Sequence, residues 1–99
     1  MNVHLRKLDD LIIDQSYCVT GYIPANSKYG ATYIIKCRLA NSDLAVDFEM
    51  YATELIVSYI SIYSPEDKFF FTVRKNIYAE IDDYIYAEID DRNSYFLLN

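Results

Sequence analysis

Eight residues of this 99-residue chain combine the two properties that a polyanion carrying flat bases calls for. Lys28 and Tyr29 adjoin in "PANSKYG", Tyr33, Lys36 and Arg38 fall in "ATYIIKCRLA", and Phe70, Arg74 and Lys75 in "KFFFTVRK". A cation neutralises a phosphate. A ring stacks on any base, a contact worth about 1–3 kcal/mol per base by alanine substitution. The chemistry open to this set is the binding of single-stranded nucleic acid, and Tyr22 and Tyr51 offer further rings of the same kind. The competing account is that the aromatics fill a small core and the cations keep the chain in solution.

Catalysis has no comparable support. The single histidine is His4, no serine or cysteine has an evident base in the pattern, and two isolated glycines make no phosphate-cradling loop. Neither enzymatic activity nor a cofactor is expected. Cys18 and Cys37 are the only cysteines and form no C-x-x-C pair, whereas structural zinc takes four ligands. Both lie in apolar strand patterns, which predicts buried, reduced thiols and no metal site. The acid pairs Asp9/Asp10, Asp82/Asp83 and Asp90/Asp91 read as solvated surface carboxylates.

One further stretch stands out. "IYAEIDD" occurs at 77–83 and again at 85–91, with Tyr84 between. The net charge of −6 is concentrated around it. Residues 1–75 carry eight Lys/Arg against nine Asp/Glu, while residues 76–99 set Arg92 alone against six acids. A near-neutral body with an acidic end leaves room for an anion-binding face that the total charge hides. The acids Glu80, Asp82, Asp83, Glu88, Asp90 and Asp91, with Tyr78 and Tyr86, are the candidate regulatory or partner-binding group. They would compete with nucleic acid for the cations or recruit a protein.

Alternation supplies the elements. In "YCVTGYI", Tyr17, Val19, Gly21 and Ile23 share one face and Cys18, Thr20 and Tyr22 the other. Pro24, Asn26 and Gly30 mark a turn. Tyr33, Ile35, Cys37 and Leu39 then share one face, opposite Thr32, Ile34, Lys36 and Arg38. A third strand is expected over "LAVDFEM", with Leu44, Val46, Phe48 and Met50 inward. Leu55, Ile56, Tyr59, Ile60 and Tyr63 recur at helical spacing behind Thr53 as N-cap, although the β-branched content also allows a strand. Pro65 disfavours helix in the residue before it. Phe69, Phe71 and Val73 form the inner side of a fifth element, opposite Phe70, Thr72 and Arg74. In the repeat, residues 77–82 read as a strand or hairpin, residues 83–91 fit a strand or a helix equally, and "YFLL" at 95–98 allows a last short strand. The order β-β-β-α-β-β predicts an all-β fold with one helix, a five-stranded OB-like Greek-key barrel. A small sandwich or half-open roll is the rival. Residues 1–75 would form the main part of the barrel and 76–99 the acidic repeat and final strand of the same domain.

The line "LRKLDDLIIDQSYCVTGYIPANSKYGATYIIKCRL", with "TELIVSYI" and "FFFTV" after it, resembles small OB-fold single-stranded-DNA-binding proteins, notably short ones of arthropods and their viruses. The likeness covers roughly residues 5 to 75 and is one of residue types. It implies base-stacking and phosphate contacts at Tyr29, Tyr33, Lys36, Arg38, Phe70 and Arg74. The body here is less basic than such proteins usually are. The repeat alone is similar to the EPIYA-type tyrosine motifs of bacterial effectors, which implies Tyr78 and Tyr86 as sites for tyrosine kinases. Asn76 and Tyr84 stand before the isoleucine in place of E-P.

The expected partners are single-stranded DNA or RNA and a protein bound through residues 77–91, and exposed tyrosines on an edge strand also admit a homodimer. The runner-up function is a protein-interaction module, in its extreme form a nucleic-acid mimic. "MNVHLRKLDD" lacks an apolar signal core and no run approaches the roughly 20 residues that span a bilayer, so a cytoplasmic or nuclear location without membrane contact is expected.

Overall fold

The computed structural model describes residues 5–76 and 84–90. Among the described residues six strands build one sheet: β1 (Leu5–Arg6), β2 (Ser16–Ser27), β3 (Gly30–Leu39), β4 (Phe48–Tyr51), β5 (Phe69–Lys75) and β6 (Ile85–Ile89). One helix, α1 (Glu54–Tyr63), lies between β4 and β5. The strand order is β1-β4-β3-β2-β5-β6, with β1 parallel to β4 and every other pair antiparallel. The fold is therefore mainly β with one helix, and its mixed sheet is not closed: β1 and β6 are its two edges. A 3-10 turn at Leu8–Asp10, which follows β1, leans on β6.

The inner face carries the core. Val19, Ile35, Cys37, Met50, Phe71 and Val73 are almost fully buried, and Ile56 and Ile60, one turn apart on α1, close over them. Tyr17 stacks on Phe71 at 5.6 Å and meets Phe48 edge-on at 5.8 Å, while its hydroxyl accepts from the Ile12 N–H at 2.9 Å. Rings paired this way add to the area they bury. Cys18 and Cys37 are both buried and free, but they face opposite sides of the sheet. Burial, with Cys18 beside it, pushes the Cys37 thiol up to about 12.

Three expectations need correction. The β2–β3 register shifts between Val19 and Gly21, so Thr20 is an extra residue. Beyond it Tyr22 pairs with Ile35 and turns inward, while Gly21 and Ile23 turn outward, the reverse of strict alternation. The strand expected from Leu44 starts only at Phe48: Leu44 and Val46 are 91% and 81% exposed, because residues 40–47 form a loop that no strand pairs with. Thr53 does stand at the N-cap of α1, but its hydroxyl makes no cap bond and is buried without a partner.

Ile85–Ile89 of the second copy form strand β6, in which Ala87 is buried and Ile85 and Ile89 are half-buried on the inner face. The first copy and the stretch 95–98 lie outside the described residues. Among the described residues, no helix is long and apolar enough to cross a membrane.

Candidate nucleic-acid interface

The outer face of β3 is built by its own alternation. Thr32, Ile34, Lys36 and Arg38 stand on it in sequence because Tyr33, Ile35, Cys37 and Leu39 are drawn to the core. The register extends this line into rows. Arg38 stands opposite Cys18, which stands opposite Phe70, so a cation and a half-buried ring flank a small side chain. Lys36 lies between Gly21 and Glu49. Half-buried Ile34 lies between the exposed Ile23 and Tyr51, an apolar and aromatic row across three strands.

Ion pairs modify the cations on this face. Arg38 donates through Nε to Asp47 Oδ1 at 2.7 Å, and Lys36 Nζ stands 3.7 Å from Asp47 Oδ2. Asp47 thus draws the two cations to one point and cancels part of their charge. Arg74 donates through Nε to Glu88 Oε2 at 2.9 Å and through Nη1 to Asp14 Oδ1 at 3.0 Å. Its pKa is held above the ordinary value by the hydrogen bond to Glu88 first and that to Asp14 second. Arg74 shares the outer face but is four residues along β5 from Phe70. At about 3.3 Å per residue and about 4.8 Å per strand, it lies roughly 16 Å from Arg38, beyond a Debye length of about 8 Å.

The remaining expected residues divide. Tyr33 is on the inner face, packed edge-on against Tyr22 at 5.6 Å, so it belongs to the core. Lys75 alternates with Arg74 and points to the other face. Lys28 and Tyr29 form the tip of the β2–β3 hairpin, where Lys28 Nζ sits 5.1 Å from the centroid of the Tyr29 ring and Tyr29 is 87% exposed. Ser27 fixes that tip, its hydroxyl accepting from the Tyr29 N–H at 3.1 Å. Tyr86 and Glu88 are on the outer face of β6, and Asp90 follows the strand with its N–H donated to the Phe70 carbonyl at 2.8 Å. Tyr78, Glu80, Asp82, Asp83 and Asp91 lie outside the described residues.

The hairpin tip overhangs a cleft of about 1000 Å³ that the sequence did not announce. It opens beyond the end of β4, where residues 30–32 of β3 extend past their neighbour, and Lys7, Lys28, Tyr29, Thr32, Tyr51 and Glu54 line it. Lys7 arrives there because β1 runs parallel to β4 with Arg6 beside Met50, which brings the next residue alongside Tyr51. Among the described residues, neither Lys7 nor Lys28 is ion-paired with a carboxylate. Lys7 gave no sequence signal, since nothing in a short N-terminal run showed that it would pair with β4. Tyr51 did: a ring at the outward position of a strand, two residues beyond Glu49.

No protein-family model, curated protein or solved structure matches this chain.

Proposed function

We propose that this chain binds single-stranded nucleic acid without catalysis, along the outer face of β3 and β4 and into the cleft under the β2–β3 hairpin. The observation that carries the reading is the run of groups along that surface. It passes from Lys36 and Arg38, over Ile34 and Tyr51, to Lys7 and Lys28 beside Tyr29, neither lysine ion-paired among the described residues. Cations at both ends of an apolar and aromatic track suit a strand whose phosphates and bases alternate.

The strand pairing is compatible with an OB-type barrel left open. Setting β1 aside leaves β4-β3-β2-β5-β6, and a barrel of these five closes when β4 meets β6. Here β1 takes the free side of β4 and the following 3-10 turn reaches β6 instead. Barrels of this type bind oligonucleotides across their second and third strands, between the loop joining the first two and the loop joining the last two. In this chain those strands are β3 and β4, and the loop joining the first two is the Lys28–Tyr29 tip.

Anisotropy of a labelled single strand of about 20 nucleotides, titrated between about 50 and about 200 mM salt with duplex alongside, tests the reading. Binding that favours the single strand and weakens with salt is the expected result. Absence of binding at both ends of that range overturns it, and an interaction module acting through the acidic repeat takes its place.

A further inference from the structure

We infer that β6 is a self-recognition edge, at which a second copy of this chain adds its own β6 antiparallel about Ala87. This is independent of the nucleic-acid reading. β6 is bonded to β5 on one side only, and among the described residues no backbone group pairs with Ile85–Ile89 on the other. An edge of this kind is a template for another strand, and proteins that avoid pairing blunt it with proline, bulges or inward-pointing charge. β6 has none of these: its inward residues are Ile85, Ala87 and Ile89, and its only charge, Glu88, faces outward, while the 3-10 turn at Leu8–Asp10 packs near the strand without a backbone hydrogen bond to it.

The sequence of the strand selects the occupant. "IYAEI" is complementary to itself when reversed: with Ala87 opposite Ala87, Ile85 meets Ile89 and Tyr86 meets Glu88, each twice by symmetry. Directly opposed side chains are the unit of sheet stabilisation, and both contacts are of favourable kinds. Glu88 uses Oε2 on Arg74, which leaves Oε1 to accept from the Tyr86 hydroxyl of the second copy. Other registers fare worse. Sliding by two residues in one direction sets Glu88 against Glu88, and sliding by one puts apolar residues on the outer face. A two-fold axis normal to the sheet keeps inner faces on the same side. The incoming isoleucines then lie over the groove of about 320 Å³ at the open seam, which Leu8, Leu55, Ile85 and Ala87 help to line.

The test is the mass of the full chain by sedimentation equilibrium across a roughly hundredfold range of concentration, for wild type, Y86E and Y86E/E88K. Wild type should rise with concentration from 11.6 kDa towards twice that value. Y86E sets its new carboxylate against Glu88 twice across the axis and should weaken the dimer about tenfold. Y86E/E88K sets that carboxylate against an ammonium group twice and should restore the dimer, with position 86 directly across β5–β6 from Arg74. If Y86E alone does not fold, the double variant decides: association at least as tight as wild type is required. A wild-type mass that stays at the monomer value throughout overturns the inference. So does a dimer that neither variant alters, which would lie on another surface.

Discussion

Arg74 Nε lies 2.9 Å from Glu88 Oε2, so a cation expected to meet phosphate is held by an acid of the repeated "IYAEIDD" segment. Asp14 takes a second arm of the same guanidinium at 3.0 Å. One acid of the repeat therefore pairs with one of the expected phosphate-binding cations across two neighbouring strands of the sheet.

Removing that competition should release Arg74. E88Q with D14N is expected to tighten single-strand binding and steepen its salt dependence, with the thermal midpoint little changed because the three side chains are exposed. Converting Glu80, Asp82, Asp83, Glu88, Asp90 and Asp91 to their amides should tighten it further. Anisotropy at two salt concentrations reads both; unchanged affinity in the six-fold variant means the acids do not compete.

The cleft and the outer face make a sharper demand on the aromatics. Tyr29→Ala and Tyr51→Ala should each weaken single-strand binding by about 1–3 kcal/mol without loss of fold. Lys7→Ala and Lys28→Ala should each lower the salt slope by about 0.7, the value for one phosphate contact on a single strand. Tyr33→Ala should instead lower stability, since Tyr33 packs on Tyr22. If Tyr33→Ala alone abolished binding in a folded protein, the strand would run along the wrong face.

Thr53 offers a test of helix capping. Its hydroxyl is buried and unpartnered, so Thr53→Val should leave the urea midpoint unchanged or raise stability by up to about 1 kcal/mol. A hydroxyl that capped α1 would instead lose about 1 kcal/mol on the same substitution.

The Cys37 thiol gives a pH dependence with a definite sign. Its pKa rises from 9.0 to about 12 on folding, so the folded state keeps the proton where the unfolded state has released it. The contribution is fully present below about 9 and is lost as pH climbs towards about 12. Cys37→Ala should flatten the alkaline fall in stability relative to wild type, measured by urea unfolding at successive pH values. Equal slopes would mean that the thiolate forms without cost in the fold.

Much of this architecture is readable from alternation alone. The inner faces of β3 and β5, the Ile56, Tyr59 and Ile60 side of α1 and the shared face of Lys36 and Arg38 follow from period-2 and period-3.6 spacing. Leu55 and Tyr63, expected on the same helical face, are instead exposed. What escaped is what alternation does not encode. Leu44 and Val46 keep the phase of Phe48 and Met50, yet no neighbouring strand reaches them. β1 is two residues long and has no period to detect, and with it went Lys7 and the parallel pairing with β4. Arg74 and Lys75 look like one basic pair in the sequence, but adjacency in a strand means opposite faces. Asp47 was visible as an acid, but that a loop residue reaches both Lys36 and Arg38 follows only from how the chain folds back beside β3.

The extra residue at Thr20 sets the phase of everything beyond it in β2. Because of it Tyr22 reaches under the sheet to donate its hydroxyl to the Pro65 carbonyl at 2.8 Å, lashing the hairpin arm to the turn behind α1. Without it, the arm would be mounted back to front: Tyr22 would lie in water, Ile23 would press on the helix, and the lashing would be gone. A single-residue deletion there is thus a reversal of the arm that carries Lys28 and Tyr29, a far larger change than trimming one residue from either loop beside it.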